Sequence, residues 1–364
     1  MILEQIVSHR YRVPFRVPFT TSQGLAQHRE GALLRVATRD GWVGYGEVAP
    51  LPSFGTARLD VLESKVREIE GRVSGTDINE TRPLIDQLAG DPTLAPVRFA
   101  LDTALLDIQS RAAGLSLCRY LNPNAASAVP LNATISDMDE RGAASAAYYA
   151  VMAGYGAVKV KAGAGRGTEY EVKRVAAIRE AIGPDTELRL DVNGGWTVEQ
   201  ATEIAGKLCD YNISYIEQPV PPSDIAAMAR LRAQISIPIA ADEAASTRGA
   251  VEEIIRLKAA DAIVIKAAIV GGVSVARELI ALARDAGMRV VVTTALETGV
   301  GITAALHLAA TLPEPIPPCG LATGALMETD LLVHSPRIEA GHMIIPSGDG
   351  LGVEPLGSVF GRQD

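Results

Sequence analysis

Ala157-Val158-Lys159-Val160-Lys161, Leu188-Arg189-Leu190-Asp191, Tyr215-Ile216-Glu217, Ile239-Ala240-Ala241-Asp242-Glu243 and Ile263-Val264-Ile265-Lys266 are five short apolar runs that end on carboxylates or lysines. Residues 161, 191, 217, 242 and 266 follow one another at intervals of 30, 26, 25 and 24 residues. Such an interval holds a strand, a helix and two loops, the repeat of a parallel βα unit. If the strands are parallel neighbours, Lys161, Asp191, Glu217, Asp242 and Lys266 all meet at one rim.

Helical patterns fill the intervals. Val172, Val175, Ala176, Ile178 and Ile182 make one broad face that Gly183-Pro184 ends. Thr197 with Gln200 is a capping box ahead of Val198, Ala201, Ala205 and Leu208. Gly271-Gly272 opens a helix carrying Val273, Ala276, Leu279, Ile280 and Ala283. Counting strands from residues 131–135, through 289–294, to the run at 317–321 gives eight. That number predicts a closed α/β barrel over residues 121–336, a modified (β/α)7β form of the TIM type. Upstream, residues 2–10, 32–38 and 42–48 alternate as strands, the last two flanking the hairpin turn Asp40-Gly41. Leu59, Leu62, Val66 and Ile69 recur at helical spacing, as do Val97, Leu101, Ala104, Leu105 and Ile108. An α+β capping domain over residues 1–120 is expected, with a tail at about 337–364 returning to it. Loops at 20–27 and 49–56 interrupt its sheet and have the length of lids.

Composition narrows the function. A chain of 364 residues exceeds one ordinary core, and 48% apolar with 21% charged residues is that of a globular protein. A formal charge of −9 without a basic stripe speaks against a nucleic-acid partner. No apolar run approaches the roughly 18 residues of a membrane helix. The first residues, with Glu4, His9, Arg10 and Arg12, hold no signal-peptide core, so a cytoplasmic location is expected. Cys118, Cys209 and Cys319 are odd in number and far apart, as reduced thiols would be, and the five histidines lack the ligand spacing of a zinc site. Neither residues 163–165 nor Gly271-Gly272 has the spacing of a phosphate loop. The apolar exterior of such a barrel leaves room for a homo-oligomer.

The rim carries the chemistry. Three carboxylates gathered at one place repel and push each other toward protonation, unless a cation binds them. An oxygen-only donor set favours Mg2+, with Mn2+ or Ca2+ as alternatives. Taken singly, Asp191, Glu217 or Asp242 could be an ordinary strand-end cap; their near-equal spacing argues for a shared metal. Lys161 and Lys266 flank that set. An amine beside a bound cation has a lowered pKa and can take a proton from a carbon α to a carboxylate. Lys159, two residues before Lys161, points the same way and is expected to favour the neutral amine by like-charge repulsion.

The series Lys159-Val160-Lys161, Asp191-Val192-Asn193, Glu217-Gln218-Pro219, Asp242-Glu243 and Lys266 resembles that of the enolase superfamily, in its muconate lactonizing enzyme subgroup, over essentially the whole chain. The resemblance implies Mg2+ on Asp191, Glu217 and Asp242, a small-molecule carboxylate substrate, and capping loops at about 20–27 and 51–55 that close over it. Thr293-Thr294-Ala295-Leu296-Glu297-Thr298-Gly299-Val300-Gly301, Gly320-Leu321-Ala322-Thr323-Gly324, Pro18-Phe19-Thr20-Thr21-Ser22 and Leu51-Pro52-Ser53-Phe54-Gly55-Thr56 are similar to o-succinylbenzoate synthases. That likeness implies syn-dehydration of a cyclohexadiene carboxylate in menaquinone biosynthesis. Lys161 would remove the α-proton and protonate the departing hydroxyl, and Lys266 would stabilise the enediolate. Asn193 would orient the carboxylate or a water, Glu243 would lie behind the ligands, and Thr293 and Thr294 would place the succinyl tail. The alternative on the same scaffold is N-succinylamino acid racemisation or dipeptide epimerisation. Dipeptide epimerases typically carry Asp-x-Asp on the last barrel strand, where this chain has Gly320-Leu321-Ala322-Thr323. A barrel that only binds metal and carboxylate ligands is a third reading, and it leaves the two flanking lysines without a purpose.

Overall fold

The computed structural model describes residues 1–21, 24–136, 139–163 and 165–361. Strands β1 (Leu3–Thr21), β2 (Gly24–Thr38) and β3 (Val43–Val48) form an antiparallel sheet in that order. Its second turn is the expected one, with Gly41 at φ +87° and Thr38 Oγ1 accepting from Trp42 N at 3.1 Å. The first turn differs from expectation. The strands do not open into a loop at residue 20 but re-pair through Thr20↔Leu25 and Thr21↔Gly24, after a register break between Pro14 and Phe19. Pro14 and Pro18 lack the N–H groups that an unbroken ladder would need, so the break falls between regular pairings. Ser22 and Gln23 lie outside the described residues.

Helices α1 (Leu59–Val73), α2 (Ile78–Gln87) and α3 (Ala95–Ala112) cover one face of this sheet. Leu34, Val36, Leu62, Val66, Ile69, Val97, Leu101 and Ile108 form its core, each 1% exposed or less. Truncating one of these leucines to alanine would cost about 2–5 kcal/mol. The sheet approaches α3 so closely that a Cβ at Gly46 would fall 1.9 Å from the Ala100 carbonyl oxygen, which only glycine permits.

After α4 (Leu117–Leu121) and β4 (Ala128–Pro130), the chain alternates strand and helix. The order is β5 (Asn132–Ile135), α5 (Glu140–Met152), β6 (Ala157–Lys161), α6 (Thr168–Ile182), β7 (Glu187–Asp191), α7 (Val198–Leu208), β8 (Ile213–Glu217), α8 (Ile225–Arg232) and β9 (Ile239–Ala241). It continues with α9 (Arg248–Leu257), β10 (Ala262–Ile265), α10 (Ala267–Val270), α11 (Val273–Asp285), β11 (Arg289–Val292) and α12 (Gly299–Ala309). β5 to β11 form one parallel sheet in sequence order. Residues 317–321 close it. Asn132 N donates to Cys319 O (3.0 Å) on one side, and Gly320 N donates to Val292 O (3.0 Å) on the other. This is the expected eighth strand, reduced to a few pairings. A Cβ at Gly320 would meet Thr293 Cγ2 at 2.7 Å, so the closure is tight.

Alternate residues of each strand point into the barrel. Tyr215, Ala240, Ala262 and Val291 pack there as a small layer of their own. Toward the strand beginnings, buried Arg189 donates to Glu187 and to Pro318 O, and Arg289 donates to the other oxygen of Glu187. Outside, the α7 capping box forms as read, with both Thr197–Gln200 hydrogen bonds present.

Buried carboxylates of the first 121 residues reach the barrel helices. Asp102 accepts from Ser274 N (2.9 Å) and Ser274 Oγ (2.7 Å) at the start of α11. Glu47 accepts from Thr298 N (2.7 Å) and Gly301 N (2.8 Å) at the start of α12. Each satisfies orphan helix N–H groups and sits at the positive end of the helix dipole. The tail passes β12 (Ile338–Glu339) and β13 (His342–Ile344), which pair with each other while β13 also pairs with β4, and then runs along α3 and α4. There Leu117 N donates to Gly350 O and Leu351 N to Asp107. Among the described residues no helix is long and apolar enough to cross a membrane.

Candidate active site

The ladder brings the strand-end groups side by side: Lys161 pairs with Asp191, and Asp191 with Glu217. Asp242 follows β9 directly, and Lys266 follows β10. Lys161 Nζ donates to Asp191 Oδ2 (2.7 Å) and Asn193 Oδ1 (2.8 Å). Lys159 Nζ lies between Asp191 Oδ2 (2.8 Å) and Glu217 Oε1 (2.9 Å). Lys266 Nζ is ion-paired with Asp242. Lys161, Asp191, Lys159 and Glu217 therefore form one linked set at the carboxyl ends of the strands, with the Asp242–Lys266 pair on the next two strands. Lys161 is its most open amine, with a side chain 34% exposed against 12% for Lys159 and 10% for Lys266.

Burial dominates the electrostatics. It pushes the Glu217 carboxyl up to about 7, with Asp191 adding to the rise. Asp242 is raised too, again chiefly by burial. Asp191 feels the same burial, but Lys159 and Lys161 overcome it and hold its carboxyl below the usual range. For Lys159, burial would lower the pKa, yet Asp191, Glu217 and Asp242 raise it well above that of an ordinary lysine. Against the expectation that Lys159 acts by repelling Lys161, its ammonium in this arrangement bridges Asp191 and Glu217, the two carboxylates its strand position faces.

The donor set fits a divalent cation by its chemistry. All the groups are oxygen donors, Asp191 Oδ1 is buried without a hydrogen-bond partner, and an ammonium stands between Asp191 and Glu217 as a cation would. Among the described residues no three side chains form a ready-made metal cage.

Around this set, Asn193 sits in the left-handed region (φ 49°), and its Nδ2 donates to Glu243 Oε1 at 2.8 Å. Lys161, Asn193 and Glu243 thus form a chain of hydrogen bonds, and Glu243 Oε2 is buried and unpartnered. Thr293 continues β11 beside Lys266, with its Oγ1 buried and unpartnered. Thr294 Oγ1 turns instead to Thr323 Oγ1 at 2.7 Å. Two neighbours belong to motifs of the sequence that assign them no role of their own. Gln218 accepts from Asp242 N (3.1 Å) and Ala244 N (3.0 Å), fixing the turn that presents Asp242. Phe54 places its ring 4.7 Å from Lys266 Nζ, a cation–π distance. Five phenylalanines in the whole chain make one in a loop a usable signal, whereas Gln218 could be found only as part of the Glu-Gln-Pro motif.

Two family models cover the chain: "Mandelate racemase / muconate lactonizing enzyme, N-terminal domain" matches residues 4–121, and "Enolase C-terminal domain-like" matches residues 142–358. The chain belongs to the enolase superfamily. Among enolase-superfamily relatives, a D-Ala-D/L-Ala epimerase of Cytophaga hutchinsonii is 31% identical over 312 residues, 85% of this chain and 84% of the relative. An N-succinyl-L-Arg/Lys racemase of Bacillus cereus is 30% identical over 85% of this chain and 84% of its own length. An o-succinylbenzoate synthase of Thermobifida fusca is 41% identical over 207 residues, covering 56% of this chain and 62% of that one. The solved structure of a dipeptide epimerase from Enterococcus faecalis, complexed with Mg and the dipeptide L-Leu-L-Tyr, superposes with a TM-score of 0.89 at 28% identity. It covers 97% of this chain and 99% of that one.

Proposed function

We propose that this superfamily enzyme moves a proton at the carbon α to a carboxylate, racemising or epimerising a small acid whose α-nitrogen is acylated. The observation that carries the reading is the pair Lys161 and Lys266. Each is bonded to a different carboxylate, and β7, β8 and β9 lie between the strands that bear them. One amine on each side supports proton removal from one face and proton delivery to the other.

In the proposed mechanism neutral Lys161 takes the α-proton and becomes an ammonium. Lys266, as an ammonium, returns a proton to the opposite face and becomes neutral; the mirror-image substrate runs the sequence in reverse. Asp191 and Asn193 aim the Lys161 amine, and Glu243 orients Asn193. Asp191, Glu217 and Asp242 would hold Mg2+, which when bound polarises the substrate carboxylate and balances the charge that develops on it. Residues 319–324 contain no acidic side chain, so that segment offers nothing to pair a free substrate ammonium. An acylated nitrogen suits it better, and the relative named as an N-succinyl-L-Arg/Lys racemase points the same way.

Dehydration, the first expectation from the motifs, becomes the second reading, because epimerases and a racemase match over more of the chain. It keeps one specific support, the 41% identity to an o-succinylbenzoate synthase. In that reaction Lys161 would serve alone as base and then acid, with Lys266 as a fixed cation. The test is a Mg2+-dependent assay in deuterated water with N-succinylamino acids, dipeptides and the cyclohexadiene carboxylate. Fast α-deuterium exchange into both enantiomers of an acylamino acid is expected. Dehydration with no exchange elsewhere would replace the main reading by the second.

A further inference from the structure

Arg29, on β2, lies across the junction between the sheet of the first domain and the barrel rim, and it is only 6% exposed. Its guanidinium donates to the carbonyls of Pro50 (2.5 Å), Leu296 (2.6 Å) and Ala295 (3.4 Å), and to its neighbour Glu30 (3.4 Å). Pro50 opens the loop that carries Phe54. Ala295 and Leu296 belong to the segment between β11 and α12, which starts at Thr293 beside Lys266. Two residues further on, Glu47 takes the amides of Thr298 and Gly301. One stretch of rim is thus held by both polarities, a cation on its carbonyls and an anion on its amides. It has little slack: Leu296 adopts φ 64°, and a Cβ at Gly301 would lie 2.4 Å from Glu297 Cβ.

We propose that Arg29 is a positioning residue. It ties the loop bearing Phe54 to the rim segment 295–298 and thereby sets the Phe54 ring over the Lys266 amine. A planar fork spreads its N–H groups over three nitrogens, so that here Nη1 meets Pro50 while Nε meets Leu296; a lysine would have to reach both segments from one nitrogen. The kinetic half of the test rests on the role proposed above for Lys266, and the exchange half does not.

Arg29→Lys, Phe54→Leu and the double variant are compared by amide hydrogen exchange and by substrate α-deuterium exchange. In Arg29→Lys the amides of residues 51–57 and 295–301 are expected to exchange faster together, while those of α1 stay protected. Arg29→Lys and Phe54→Leu should each lower kcat by on the order of 100-fold with KM little changed, the scale of a small misplacement at a reacting group. The double variant should be no slower than the worse single, because both changes break one arrangement. Losses that multiply, or faster exchange in only one of the two segments, overturn the proposal. So does loss of protection throughout the chain in both Arg29→Lys and Arg29→Gln. If the wild type exchanges no α-proton in any acid of the panel, the functional reading fails, and the amide exchange still decides the role of Arg29.

Discussion

His307 offers the sharpest test of how α12 is anchored. Its ring is fully buried, with Nδ1 accepting from Cys118 N at 3.1 Å and Nε2 3.0 Å from the Leu351 carbonyl. Those partners call for one tautomer, with the proton on Nε2. A second proton would sit on Nδ1, facing an N–H donor, and would bring a charge into a buried setting. Burial accordingly holds the imidazole down at about 4 against an ordinary 6.5, although the Leu351 carbonyl pulls the other way. The folded-state pKa lies below the unfolded one, so between these values the unfolded chain binds the extra proton. The stability contribution is complete above pH 6.5 and is lost as pH falls toward 4. It amounts to about 2 kcal/mol lost by pH 5 and about 3 kcal/mol by pH 4.

Urea unfolding of the wild type and His307→Gln, followed by the fluorescence of Trp42 and Trp196, measures this difference. Glutamine keeps an N–H for Leu351 and does not titrate. Other acid-sensitive groups are common to both proteins and cancel. The stability advantage of the wild type should shrink by about 2 kcal/mol between pH 7 and pH 5. An advantage that stays constant over that range refutes the buried neutral imidazole as the pin between α4, α12 and the tail.

Three further outcomes follow from charges elsewhere in the barrel. Burial would raise the Glu187 carboxyl, but Arg189 and Arg289 bring it down to about 2. Glu187→Gln should therefore destabilise the protein by about 3–5 kcal/mol at pH 7, by leaving two arginines without their carboxylate. Because the folded pKa is depressed, that deficit should be present above pH 4.5 and vanish as pH falls toward 2, as read from urea midpoints. Glu217→Gln should weaken Mg2+ binding in calorimetry by at least on the order of 100-fold with the fold retained; unchanged affinity would remove Glu217 from the ligand set. Lys161→Ala and Lys266→Ala should each cut racemisation by on the order of 10^4-fold while sparing α-deuterium exchange into opposite enantiomers. Loss of exchange into the same enantiomer in both variants would exclude a two-sided proton transfer.

The barrel was legible because its signal is repeated. Any one of Asp191, Glu217 or Asp242 could end an ordinary strand, but apolar runs closing on charged groups at near-equal intervals leave few other folds. The structure places all five terminal residues at the expected rim. The roles of single residues within that rim were less legible, because they depend on which charge lies nearest. Lys159 looks like a second cation beside Lys161 when only the strand is read. Across the ladder it is the bridge between Asp191 and Glu217, and two short ion pairs outweigh one like-charge neighbour.

Contacts made across the two domains leave no periodic trace at all. Glu47, Asp102 and Arg29 lie in segments whose alternation or helical spacing predicts the element and nothing more. The groups they reach in the barrel are mainly backbone ones: the amides of Thr298, Gly301 and Ser274, and the carbonyls of Ala295 and Leu296. Every residue type but proline offers both kinds of group, so no motif announces them. Burial of the three charged side chains is nonetheless tolerable only where such groups converge, since an unpaired buried charge costs several kcal/mol. Each therefore marks a place where the first domain and the barrel must keep their relative position. Two of the three, Glu47 and Arg29, grip the same rim segment next to Lys266. That coincidence makes the junction part of the site's architecture, because loosening it would release the strand-end loop on which the second lysine's surroundings depend.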